Sequence, residues 1–172
     1  MIERSGVIEF KGKDAPVIGV DLATGQIAPE FSVHNPAWET VPVLKTTTGK
    51  VRIIAAVPSL DTSVCDREIR RFNQEAAALC SEVAIIVIST DLPYAQKRWC
   101  GATGIDQVLV VSDHHEVEFG IRYGCLMKAQ RILRRAIFVI NRADQIVYAA
   151  YMKALGEEPD YAAVLAAAIA AL

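Results

Sequence analysis

The sequence predicts an α/β fold: a three-layer α/β/α sandwich around a mixed sheet, with a β-hairpin at the N-terminus. Three observations predict it. The runs Val51–Val57, Val83–Ile88 and Val108–Val111 are almost wholly apolar, as strands buried on both faces are. Segments with helical spacing alternate with these runs, which is the pattern of a largely parallel sheet. Ala136–Ile140 and Ile146–Tyr151 then flank the polar turn Asn141–Asp144, which reads as an antiparallel hairpin added to that sheet.

Each element follows in order. Residues 7 to 33 hold short β-like pieces broken by Gly12, Pro16, Gly19, Gly25 and Pro29, the pattern of an N-terminal hairpin. Leu44–Lys50 reads as a strand end and turn, and Pro58 closes the strand that starts at Val51. The next segment places Ile69, Phe72, Ala76 and Leu79 on one helical stripe, with Arg67, Glu68, Arg70, Arg71 and Glu75 off it. Asp61, Thr62 and Ser63 are its candidate N-caps. After the second strand, Thr90-Asp91 cap a short helix with Pro93 in its first turn and Gly101 as its stop. Asp113 with Glu116 resembles a capping box opening a helix that runs to about Phe119. Pro159 opens the last helix, with Tyr161, Val164, Leu165, Ile169 and Leu172 expected inward.

At 172 residues the chain suits one domain, 1–172. Its 52% hydrophobic and 22% charged residues exclude a disordered chain. The balance of 18 basic against 20 acidic residues, net −2, provides no electrostatic footprint for nucleic acid or for an anionic membrane. The first residues, with Glu3 and Glu9 and no apolar run, do not form a signal peptide. The Ala-rich stretch 162–172 is too short and too weakly hydrophobic to span a bilayer. A cytoplasmic protein is expected, in which Cys65, Cys80, Cys100 and Cys125 are thiols rather than structural disulfides. They form no CxxC pair.

Cys65 lies where an apolar strand gives way to a charged helix. The first turn of a helix exposes unpaired N–H groups and a partial positive charge, which favour a thiolate. It also sits at the carboxyl end of a sheet strand, where α/β folds keep their binding crevices. Placement alone leaves two readings open: a reactive thiol, or a small buried residue packing a helix start.

A resemblance separates them. Pro58, Thr62 and Cys65 fit the pattern P-x-x-x-T-x-x-C of the peroxiredoxins, and PSLDTSVCDREIRRFN (58–73) closely resembles the thiol peroxidases, their atypical two-cysteine branch. The likeness continues in STDLPYAQKRWCG (89–101), RRAIFVI (134–140) and EPDY (158–161), in that order and over nearly the whole chain. It implies a thioredoxin-like fold with embellishments. It also implies that Cys65 is the peroxidatic nucleophile, passing through a sulfenic acid. Thr62 would bond the sulfur and the peroxide oxygens, and Pro58 would limit solvent over the sulfur. Arg135 would hold thiolate and peroxide with a guanidinium that stays charged at any physiological pH. Arg134 points the other way along the strand.

Cys100 is the resolving cysteine by the same resemblance, forming an intramolecular disulfide. The end of its short helix disfavours a thiolate, which suits a thiol that waits for a sulfenic acid. Two helix ends cannot bring their Cβ atoms to bonding distance without rearranging, so local unwinding around both cysteines is expected on oxidation. Cys80 and Cys125 read as core. His114-His115 diverge by about 100° on a helix, with no third ligand at useful spacing, so no metal is expected. None of His34, His114 and His115 lies in a matching block to serve a Cys-His hydrolase. Arg67, Arg70 and Arg71 read as a solvated face, one of them able to support the site from behind. Trp38 reads as packing, and Trp99 as a reporter beside Cys100.

The expected function is therefore a thiol peroxidase that reduces hydrogen peroxide and alkyl or lipid hydroperoxides, is recycled by thioredoxin, and works without cofactor or metal. The resemblance also implies a homodimer through the active-site face. The alternative is a redox-regulated binding or chaperone module on the same scaffold, with little turnover.

Overall fold

The computed structural model describes residues 1–79 and 81–172, and of Ala76–Ala78 only the backbone. In chain order the elements are β1 (Glu3–Arg4), β2 (Glu9–Phe10), β3 (Lys13–Asp14), β4 (Val17–Ile18), β5 (Ser32–His34), β6 (Thr40–Pro42), α1 (Val43–Thr46), β7 (Val51–Ala56), α2 (Ser63–Ala78), β8 (Val83–Ser89), α3 (Pro93–Thr103), β9 (Leu109–Ser112), α4 (Glu118–Arg122), β10 (Leu126–Met127), β11 (Ile132–Leu133), β12 (Ala136–Ile140), β13 (Ile146–Tyr151) and α5 (Tyr161–Ala170).

The central sheet has seven strands in the order β13-β12-β7-β8-β9-β5-β6. The pairs β7/β8 and β8/β9 are parallel, while β12 is antiparallel to both β7 and β13. The sheet is mixed because β7, β8 and β9 are joined by helical crossovers and β12–β13 by a tight turn. Strand alternation sends Ile53, Ala55, Ile85, Val87, Ile137 and Val139 to one face, against Cys65, Ile69 and Phe72 of α2 and Val164 and Ala168 of α5. Ile54, Ala56, Ile86, Ile88, Phe138 and Ile140 face the other way, against Val43 and Leu44 of α1 and Phe119 of α4. Three layers result, as expected from the sequence.

The expected N-terminal hairpin is β2–β3, turning through Lys11 and Gly12, both at positive φ. Two adjacent left-handed residues match the twist of the flanking strands. A separate small sheet, β1-β4-β10-β11, lies beside it.

Five local expectations are corrected. Leu44–Lys50 is not a strand end: α1 covers its start, because the Glu30 carboxylate accepts from the amides of Leu44 and Lys45 at 2.9 and 2.7 Å. That carboxylate is the cap, reaching from 14 residues upstream. Glu30→Ala is expected to lower the unfolding free energy by about 1–2 kcal/mol, read by urea denaturation, because two first-turn amides lose their acceptor. Gly101 lies inside α3, and the left-handed stop is Gly104, at φ 68°. The preceding Leu92, not Thr90 or Asp91, holds the N-cap position. α4 begins later than the capping-box reading placed it. The Asp113 carboxylate instead accepts from Phe119 and Gly120 amides at 3.1 and 2.8 Å, across the 113–117 loop. In α5, Val164 and Ala168 are buried, whereas Ile169 and Leu172 are exposed. Asp160 caps that helix through the Ala163 amide, one residue after Pro159. Cys80, expected in the core, lies outside the described residues.

Candidate active site

β7 ends at Ala56, and the chain turns through buried Pro58 into α2. Thr62 directly precedes the helix and Cys65 is its third residue. The turn is held by Asp91, whose carboxylate accepts from Ser59 Oγ and the Leu60 amide, both at 2.8 Å. Asp91 therefore caps the turn ahead of α2 rather than α3, contrary to the sequence expectation.

Cys65 is fully buried. Thr62 Oγ1 donates to its Sγ at 2.7 Å and lies 3.4 Å from its amide. Arg135, at the base of β12, is also fully buried, and its Nη2 donates to Cys65 Sγ at 3.1 Å and to Leu155 O at 3.1 Å. Hydrogen bonds from a guanidinium and a hydroxyl favour the charged form of an acceptor sulfur. Burial between β12 and α2 would cost several kcal/mol for a lone charge, and the sequence supplies the counter-charge in Glu68, which pairs with Arg135 Nη1. Arg134, one residue earlier, points away, as strand alternation requires. It pairs with Asp21, donates to Gly124 O at 2.9 Å and stacks on Tyr151 at 4.1 Å.

Thr62 and Val64, the chain neighbours of Cys65, help line a cavity of about 290 Å³ together with Phe10, Pro58, Ile132 and Leu155. Its walls are mostly apolar, and Thr62, which contacts the Cys65 sulfur, is one of the polar residues in them.

Cys100 sits in the last turn of α3, where its carbonyl accepts from the Gly104 and Ile105 amides at 3.0 and 3.4 Å. It is half-buried, and burial pushes its thiol above the ordinary value. Cys65 and Cys100 are both free thiols packed into the same side of the core. Cys125 is fully buried among apolar residues, and burial pushes its thiol up to about 12, so it carries no thiolate near neutrality.

Glu68 was missed by sequence reasoning. A glutamate between Arg67 and Ile69 reads as solvated, yet it is fully buried. The available signal was its spacing: three residues beyond Cys65, it shares that residue's helix face. Arg67, Arg70 and Arg71 do lie on the solvated side, pairing with Glu158, Asp66 and Glu75. His114 and His115 are joined by a third histidine after all: His34, on β5, brings its ring within 5.2 and 5.7 Å of theirs. Among the described residues, no group of three or more His, Cys, Asp or Glu side chains is arranged to hold a metal ion. Trp38 packs at the surface: it is 41% exposed and lies against Tyr94 and His114, at 5.0 and 5.3 Å between ring centroids.

A buried thiol at a helix N-terminus, held between a hydroxyl and a guanidinium, belongs to a thiol-dependent redox enzyme on a thioredoxin-like fold. The comparisons with known proteins agree. The Redoxin family model matches residues 23–165. The thiol peroxidase of Oceanobacillus iheyensis is 44% identical over 160 residues, covering 92% of this chain and 95% of that protein. That of Bacillus subtilis is 44% identical over 154 residues, covering 90% and 91%. In solved structures, a peroxiredoxin-like protein from Aquifex aeolicus superposes with a TM-score of 0.86 at 31% identity, over 98% of this chain and 99% of that one. The chain belongs to the redoxin family, among the peroxiredoxins of thiol peroxidase type, and is an oxidoreductase with peroxidase activity.

Proposed function

We propose that Cys65 is the peroxidatic nucleophile, Cys100 the resolving thiol, and thioredoxin the reductant that recycles the enzyme. The observation that carries this reading is the pair of contacts on one sulfur: Thr62 Oγ1 at 2.7 Å and Arg135 Nη2 at 3.1 Å. In the first step the Cys65 thiolate attacks the terminal peroxide oxygen. The S–O bond forms as the O–O bond breaks, sulfur is oxidised to sulfenic acid, and the leaving alkoxide or hydroxide takes up a proton. Thr62 and Arg135 donate to the oxygens on which charge develops. Pro58, with no N–H to offer water, is buried in the turn ahead of Cys65 and would limit solvent at the site. In the second step the Cys100 sulfur displaces water from the sulfenic acid and a disulfide forms. This step requires the first turn of α2 and the last turn of α3 to unwind.

The apolar cavity beside Thr62 favours organic hydroperoxides as substrates along with hydrogen peroxide, because an alkyl chain gains about 0.8 kcal/mol per buried methylene. No helix among the described residues is long and apolar enough to cross a membrane, which is compatible with a cytoplasmic enzyme. A homodimer through the active-site face is part of the same reading.

The test is peroxide consumption coupled to thioredoxin and its reductase, with trapping of sulfenic acid by dimedone. Cys100→Ser is expected to form a dimedone adduct on Cys65 after one equivalent of peroxide, while thioredoxin-coupled turnover stops. Full coupled turnover in Cys100→Ser removes the resolving role. Absence of any Cys65 adduct in that variant removes the peroxidatic role.

A further inference from the structure

Glu68 and Cys65 lie on the same face of α2, three residues apart, and both are fully buried. The groups that face Glu68 come from three sides: Cys65 on its own helix, Arg135 at the base of β12, and Glu158 and Tyr161 around the start of α5. Only Arg135 is a cation among these, since Arg67 spends its charge on exposed Glu158 at 3.0 Å. One Arg135 nitrogen, Nη1, meets Glu68 Oε2, and the other, Nη2, meets Cys65 Sγ. Glu68 Oε1 has no hydrogen-bond partner.

One buried guanidinium therefore serves two acids. If both were ionised, the site would hold two anions against one cation, and the uncompensated buried charge is costly. Resting on the reading of Cys65 as the reacting thiol, we propose that Glu68 is a positioning residue that competes with the Cys65 sulfur for Arg135, holding a proton while Cys65 is a thiolate. Cys65 and Glu68 then share one proton between two arrangements, thiolate with carboxylic acid or thiol with carboxylate, and titrate as a unit. Burial pushes the Glu68 carboxyl up to about 7, against the pull of Arg135, so Glu68 can hold a proton near neutrality. The bookkeeping also fits the reaction. When the thiolate becomes a neutral sulfenic acid, Arg135 regains Glu68 as its one anion. The proton that Glu68 releases equals the one the leaving alkoxide takes up.

The test is the pH profile of Cys65 alkylation by iodoacetamide, quantified by mass spectrometry of the Cys65 peptide, in wild type and in Glu68→Gln. Glutamine keeps an oxygen for Arg135 Nη1 but removes the competing charge. The profile of Glu68→Gln is expected to move to lower pH, matching wild type at pH 6 and running roughly threefold faster above pH 7, where Glu68 would otherwise ionise and compete for Arg135. Glu68→Met, which also lacks the charge, is the second variant if Glu68→Gln does not fold. Folded variants, verified by circular dichroism, with the wild-type profile or one moved to higher pH overturn the proposal. A merely structural Glu68 would leave the profile in place. The readout needs no turnover, so it stands apart from the dimedone experiment: a missing Cys65 adduct there defeats the peroxidase assignment of Cys65, whatever this profile does.

Discussion

Cys65→Ser is expected to consume no hydroperoxide above background, a loss on the order of 10⁴-fold or more in kcat/KM. Serine has nearly the size of cysteine and can keep the contacts with Thr62 and Arg135, so the fold and the cavity should survive. What disappears is the nucleophile. An alkoxide is far less accessible near neutral pH than a thiolate, and no general base contacts this position to generate one. The contacts of Cys65 Sγ are Thr62 and Arg135, neither of which is a base. The measurement is peroxide loss followed directly, with circular dichroism to show the fold intact. Normal turnover in this variant would end the assignment of Cys65.

Arg135→Ala is expected to have two separable effects. The rate of Cys65 oxidation by peroxide, read by stopped flow, should fall by about 10²–10³-fold, the usual cost of removing a charged donor from developing negative charge. The fold should also weaken by up to about 3–5 kcal/mol, because Glu68 loses its only cation. That second effect depends on pH. A carboxyl whose folded value is raised contributes its stability below its unfolded value, near 4.5, and loses it as pH rises through the folded value. In wild type that value is about 7, and removing the Arg135 pull raises it further. Urea denaturation should therefore find the variant's deficit larger at pH 8 than at pH 6. Adding Glu68→Gln should recover stability and not rate; a double variant no more stable than Arg135→Ala would show that the pair is not coupled.

The parts of the fold that were legible are those set by local pattern. β7, β8 and β12 announce themselves because both of their faces are covered, so nearly every residue is apolar. The α2 stripe is legible because Ile69 and Phe72 keep helical spacing. α1 was not legible because its cap, Glu30, arrives from a distant segment. The same holds for α4, capped across a loop by Asp113. The stop of α3 was misplaced because two glycines, Gly101 and Gly104, offered the same signal, and backbone geometry alone distinguishes them. Around the sulfur, Thr62 and Arg135 were legible through the family resemblance, with strand alternation separating Arg135 from Arg134. Glu68 stayed hidden because charge in a helix normally means solvent. Only the third dimension shows that a buried arginine at the base of β12 demands it.

The Asp91 contacts carry a consequence for how a Cys65–Cys100 disulfide would close. Counted along the chain, the two thiols bound a long loop. Asp91 shortens it, since its carboxylate pins Ser59 and Leu60 just before Cys65 and the same residue leads into α3 and Cys100. Its backbone carbonyl is fastened in turn by Ser112 Oγ at 2.6 Å. While that knot holds, unwinding α2 and α3 releases two short arms from a common pivot rather than the ends of a free polymer. Ring-closure entropy is then that of a small ring. The effective concentration of one sulfur at the other stays high even in the unwound state.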